Sequence, residues 1–152
     1  MEKMDEPIVI NQIFDNSIEM VWAAITNLNQ MVDWYFPNIP AFEPTVGFET
    51  SFIVEHEGKI FPHLWKVTEV VPLKHIAYEW RFKGYKGCSS TEFKLTEIDR
   101  KTNLTLTASI IEQHPDDVPE FKRESSVGGW NYFIKERLKE YLDDKSVDES
   151  ID

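Results

Sequence analysis

HIAYEWRF, residues 75–82, carries the plainest pattern in the chain: Ile76, Tyr78, Trp80 and Phe82 fall at every second position against Ala77, Glu79 and Arg81. A two-residue period belongs to a β-strand with one face on a core and the other on water. The alternation resumes over Ser89 to Ile98 through Thr91, Phe93 and Leu95, and again over Leu104 to Ile110 through Leu104, Leu106, Ala108 and Ile110. Lys83 to Gly87, with two glycines, reads as the turn before the second of these strands, and Asp99 to Asn103 as the hairpin connection before the third. Upstream, Phe48 to Glu55 and Phe61 to Val71 read as two more strands joined at Glu57-Gly58, and Pro37, Pro40 and Pro44 mark a loop ahead of them.

The two ends of the chain differ from this middle. Ile8 to Phe14, IVINQIF, is a β-branched run that predicts a first strand. Asn16 stands three residues before Glu19, the spacing of a capping box, so a helix is expected over Asn16 to Leu28 with Val21, Trp22, Ile25 and Leu28 on its apolar face. A second short helix is expected over Asn29 to Tyr35. From Pro119 onward the period becomes helical: Val127, Trp130, Ile134, Leu138 and Tyr141 recur at three- and four-residue steps along about six turns. Gly128 and Gly129 interrupt that helix at about 1 kcal/mol each relative to Ala, which predicts a close approach to the backbone there or room needed by the Trp130 ring.

One strand, two short helices, about five hairpin-linked strands and a long helix with one apolar stripe define an α+β helix-grip fold. In it a curved antiparallel sheet wraps around the C-terminal helix, which covers the sheet's apolar face. A length of 152 residues suits one domain, expected over residues 8–142. The last ten residues, DDKSVDESID, carry five acids and one Lys and are expected to form a disordered acidic tail over 143–152.

Sixteen basic against twenty-seven acidic residues give a formal net charge of -11. That sign argues against nucleic acid or an anionic membrane as partner. Cys88 is the sole cysteine, so neither an internal disulfide nor an all-cysteine metal cluster can form. The acidic start MEKMDEPIVI does not read as an export signal, and the apolar runs are too short to span a bilayer. A soluble, cytoplasmic protein is expected.

Catalytic signatures are absent at the level of local spacing. His56, His63, His75 and His114 match no metal-site pattern and are expected at the surface or at strand edges, so no metal and no cofactor is predicted. Cys88 has no neighbouring base to lower its pKa. Ser125-Ser126 forms no nucleophile elbow, and the glycines beside it form no phosphate loop. Asp116, Asp117 and Glu120 read as acids placed before a helix start, and Arg81 and Arg137 as solvated. The distinctive feature is aromatic content, 13% of the chain with five Trp and ten Phe. By strand parity Trp65, Trp80, Phe93 and the small Ala108 share the concave face, and Trp130 and Phe133 belong to the helix that covers it. These six either pack as a solid core or line an apolar cavity, the usual form of a small-molecule site.

A family resemblance rests on particular residues. Glu19-Met20-Val21-Trp22-Ala23-Ala24-Ile25 after a strand, then Trp34, Gly47 before Phe48, Trp65 to Pro72, Tyr78-Glu79-Trp80, and Gly129-Trp130 continuing to Leu138 and Leu142 resemble the activator of heat-shock-protein-90 ATPase homologue family. That family lies within the START and Bet v 1-like (SRPBCC) superfamily. The resemblance spans about Ile8 to Leu142. It implies a curved sheet around a long helix with a cavity between them, but no single activity, because fold does not fix function. Superfamily members bind lipids or other apolar ligands, some catalyse cyclisation or hydrolysis, and the eukaryotic namesakes bind the chaperone through a second domain, which is not found in these residues. The leading expectation is a module that binds a hydrophobic small molecule. A chaperone-associated or other protein-interaction domain without catalysis is the runner-up, and an enzyme ranks third.

Overall fold

The structure, a computed structural model, describes residues 6–115 and 117–144. Its element order is β1 (Ile8–Phe14), α1 (Ile18–Thr26), α2 (Leu28–Trp34), β2 (Glu49–His56), β3 (Lys59–Val71), β4 (His75–Phe82), β5 (Cys88–Ile98) and β6 (Lys101–Glu112), followed by the C-terminal helix. The strands form one antiparallel sheet in the order β1-β6-β5-β4-β3-β2. β2 to β6 run as consecutive hairpins, and β1 returns to pair with β6. This is the expected helix-grip architecture, with two short helices after the first strand.

Local differences from the sequence reading have physical causes. The first helix is capped by Ser17, not Asn16: the Ser17 hydroxyl accepts from the Met20 N–H at 3.3 Å. Asn16 is buried and does something else, donating from Nδ2 to the Leu142 carbonyl at 2.9 Å. Asn27 closes α1 and also caps α2, its side chain accepting from the Asn29 N–H at 2.9 Å. The β5–β6 connection is tighter than Asp99 to Asn103. Asp99 and Arg100 take φ of 49° and 69°, the paired positive values of a two-residue hairpin turn, so pairing starts at Lys101.

The C-terminal helix is not uniform. Pro119–Phe121 is an isolated 3-10 turn and Lys122 is extended. The helix is α-helical over Arg123–Asn131 (α3), π-helical over Tyr132–Leu138, and α-helical again over 139–144. Trp130, Ile134, Leu138 and Leu142 are all buried and lie four residues apart. In a helix of about 3.6 residues per turn such a row would drift around the axis. The wider π turns absorb the drift and keep the row on the sheet. The helix therefore covers Asp143, which forms an ion pair with Lys139 at 2.6 Å. The rest of the expected tail, 145–152, lies outside the described residues.

Along the sheet's concave face, side-chain volume tapers. At one end Leu95, Phe93, Leu104, Leu106 and Ile76 are closed off from water and pack with the Ile134–Leu142 part of the helix. Toward the other end the inward residues shrink to Thr91 and Ser89 on β5 and to Ala108 on β6, while the helix presents Gly129 and Ser126. The core is complete at the first end and left unfilled at the second. No helix of the described residues is long and apolar enough to cross a membrane.

Candidate functional site

The unfilled end is a pocket of about 580 Å³ between the sheet and the C-terminal helix. Such volumes are typical of small-molecule sites, roughly 300 to 1,000 Å³. The register explains its walls. Ile110, Ser89, Trp80 and Trp65 form one row across β6, β5, β4 and β3, and Ile8, Ala108, Thr91 and Tyr78 form the next across β1, β6, β5 and β4. Trp80, Phe82, Ala108, Trp130 and Phe133 face the pocket, and Phe36, just beyond α2, closes one side. Trp80 meets Trp130 edge-on, with ring centroids 5.7 Å apart, and Phe36 meets Phe133 at 5.0 Å. Such edge-to-face contacts hold apolar walls in fixed orientation.

Of the six residues singled out in the sequence, the structure brings Trp80, Ala108, Trp130 and Phe133 together on the pocket. Trp65 and Phe93 share their inward parity but sit in the packed core, 2% and 1% exposed. Trp65 is enclosed by Tyr35, Phe52 and Tyr78. Behind it the Tyr35 and Tyr78 hydroxyls form a buried hydrogen bond of 2.7 Å, and burial raises the pKa of both phenols. Among the described residues nothing from outside the helix approaches the backbone at Gly128 or Gly129: a Cβ at either would meet no such atom within 4 Å, which corrects the expected close approach. Gly129 lines the pocket, and its missing side chain is part of the open volume.

Two histidines expected at the surface or strand edges are buried. His63, 6% exposed, lies among Phe36, Phe52, Trp80 and Phe82, and its Nδ1 is 2.9 Å from the Phe61 carbonyl. Burial lowers its pKa to about 4, and the Phe61 carbonyl opposes that shift. It follows the inward parity of β3, as Phe61 and Trp65 do, and that parity could have placed it. His114, 5% exposed, lines the pocket, with Nε2 2.8 Å from the Ser89 hydroxyl. Burial lowers its pKa also, against smaller opposing effects of the Lys86 carbonyl and the Glu112 carboxylate.

Access to this pair is built by the backbone. At Cys88/Ser89 the β5–β6 register shifts, leaving Ile111 as the extra residue of a β-bulge, and the strand bends there. Beyond the bend His114 packs against Gly87, whose φ is +109° and whose absent Cβ would lie 2.4 Å from Nδ1. Phe121 of the 3-10 turn then covers His114 and Phe82 at 5.4 and 4.7 Å. Cys88 next to the pair is buried, and burial raises the pKa of its thiol.

The pocket's rim is charged but balanced. Glu6 and Glu120 face Lys122 and Arg123. Glu120 is held by His56 at 2.9 Å and Lys59 at 3.1 Å, hydrogen bonds that lower its pKa to about 2. Arg123 donates to the Glu6 and Pro7 carbonyls. Elsewhere His56, Glu57 and Glu120, and also Glu69, His75 and Glu92, bring three potential metal donors within 4.8 Å. The second group assembles across β3, β4 and β5 and the first between the β2–β3 turn and the 3-10 turn, which local spacing in the sequence does not reveal.

Solved structures share this fold. Protein CV1439 from Chromobacterium violaceum aligns with a TM-score of 0.74 at 21% identity, covering 91% of this chain and 98% of that one. DynU16, from the dynemicin biosynthetic locus, aligns with a TM-score of 0.72 at 24% identity over 91% of this chain but 48% of its own. The Aha1 dimer from Colwellia psychrerythraea aligns with a TM-score of 0.68 at 21% identity, covering 90% and 95%. No curated protein matches the chain. The family model for activator of Hsp90 ATPase homolog 1-like proteins matches residues 15–143, almost the whole described domain, and the chain belongs to that family.

Proposed function

We propose that the domain binds a small apolar or aromatic molecule in the pocket between the sheet and the C-terminal helix, without transforming it. The observation that carries this is the pocket of about 580 Å³ left beside an otherwise closed core and walled by Trp80, Phe82, Trp130 and Phe133. The ligand-binding set is Trp80, Ala108, Trp130 and Phe133, with Trp65 and Phe93 as the layer that stiffens the wall behind them. The buried thiol of Cys88 suits the reducing cytoplasm.

Titration with the neutral fluorophore N-phenyl-1-naphthylamine tests this reading. Saturable binding, quenching of Trp fluorescence and a stability gain of about 2.7 kcal/mol at a hundredfold excess over Kd are expected. A probe that neither saturates nor stabilises would sink it. A protein-interaction role, with a chaperone as partner, is the second reading. It is supported by the family's name and by the exposed Ile53 and Ile60 on the β2–β3 hairpin. Stimulation of the chaperone's ATPase by the purified domain would favour it.

A further inference from the structure

We infer that Ser89 and His114 form a hydrogen-bonding pole at one end of the pocket, and that the ligand is a neutral aromatic molecule whose hydroxyl donates to Ser89 Oγ. The inference rests on the pocket being a ligand site and adds the chemistry of what it takes.

Three observations support it. First, the pair is built into the fold. The β-bulge bends β6, and Gly87, at φ +109°, leaves the space that the His114 ring occupies. Second, the pair can present an acceptor to the pocket, and we assign His114 its Nδ1–H tautomer. The Nδ1 edge lies against Gly87, and the neighbouring Lys86 carbonyl opposes the lowering of the ring's pKa. Nδ1 is buried and makes no hydrogen bond among the described residues. In that tautomer Nε2 carries the lone pair and accepts from the Ser89 hydroxyl, 2.8 Å away. With its proton committed, Ser89 Oγ offers its remaining lone pairs, and a partner must bring its own proton. Burial keeps the imidazole neutral, so the pair has no charge with which to hold an anion.

Third, the rest of the pocket agrees. Trp80, Phe82, Trp130 and Phe133 give the walls their aromatic surface among smaller residues such as Thr91, Ala108 and Ser126, and the four charged rim residues are two acids and two bases. Arg123 and Glu120 already have partners within the protein. Away from the rim a ligand with an ionised group would lose hydration without a matching charge, whereas a phenol or alcohol would find the Ser89–His114 pair at one end and the rings of Trp80, Trp130 and Phe133 in the walls.

The test compares three probes of one shape: naphthalene, 1-naphthol and 1-methoxynaphthalene. Titrated against the native protein at pH 7, 1-naphthol should bind about three- to tenfold more tightly than naphthalene, the net value of one neutral hydrogen bond. The ether lacks the proton and should gain nothing. Ser89→Ala should remove the naphthol advantage and leave naphthalene affinity unchanged. If that variant does not fold, Ser89→Cys, which keeps the shape with a weaker acceptor, should shrink the advantage. Equal affinities for naphthol and naphthalene, an equal gain by the ether, or an advantage that survives Ser89→Ala would each overturn the inference while leaving the pocket reading intact. Failure of all three probes to bind would overturn the pocket reading itself.

Discussion

Gly128 and Gly129 are neighbours in the same helix, and neither is crowded, but only Gly129 faces the pocket. Each should stabilise the helix by about 0.5–1 kcal/mol when replaced by Ala, read as a rise in the denaturant midpoint. Gly129→Leu should then abolish probe binding while Gly128→Leu leaves it unchanged; equal effects of the two would mean that the pocket's boundary is misplaced. At His63 the effect is one of pH. Its folded pKa of about 4 lies below the ordinary 6.5, so the unfolded chain binds the proton more readily. Stability contributed by the neutral ring is full above about pH 6.5, falls as pH drops toward 4, and levels off below that. The total loss is about 3 kcal/mol, and His114 acts in the same direction. Melting curves at pH 7.5 and 5 should differ markedly for the native protein and much less for His63→Leu. An undiminished difference in the variant would place the titrating group elsewhere.

Among the elements, the C-terminal helix depends on a residue far from it in sequence. Asn16 holds the Leu142 carbonyl and is itself held by the Thr102 hydroxyl, which donates to the Asn16 carbonyl at 2.8 Å. The start of α1, the first turn of β6 and the last turn of the helix meet there. Asn16→Ala should cost about 1–2 kcal/mol and speed amide exchange over 139–144; unchanged exchange there would show that Leu142 packing alone seats the helix end. The strands and their order were legible because alternation is local and needs no knowledge of what lies opposite. The π segment was not. A row of apolar residues four apart reads as an α-helical stripe, and only its placement on the sheet shows that the turns must widen. His114, Phe36 and Phe121 lie outside the periodic stretches, so no pattern pointed to them, and the approach of His114 to Gly87 exists only once β6 has bent.

For the whole molecule, parity told which side chains face inward but not how far along the sheet the helix fills the space. Phe93 is inward at the filled end, Trp65 shares the row of Trp80 but is enclosed by Tyr35, Phe52 and Tyr78, Trp80 and Ala108 face the open volume, and the sequence pattern treats them alike. The taper from Phe93 through Thr91 to Ser89, matched by Leu106 to Ala108, was nevertheless present as a gradient of volume. Ala108→Leu tests it. In a closed core the larger side chain would overpack at about 1–3 kcal/mol. Facing open volume it should change stability by less than about 0.5 kcal/mol, the scale of neutral substitutions, while weakening probe binding. A large loss of stability with binding intact would mean that the taper closes in solution. Because the closed end bears the packing and the open end does not, the two tolerate substitution differently. Substitutions around Leu104, Leu106 and Leu138 strike packing that the fold needs, whereas those at Ser89, Ala108 and Gly129 reshape the open volume without endangering the scaffold.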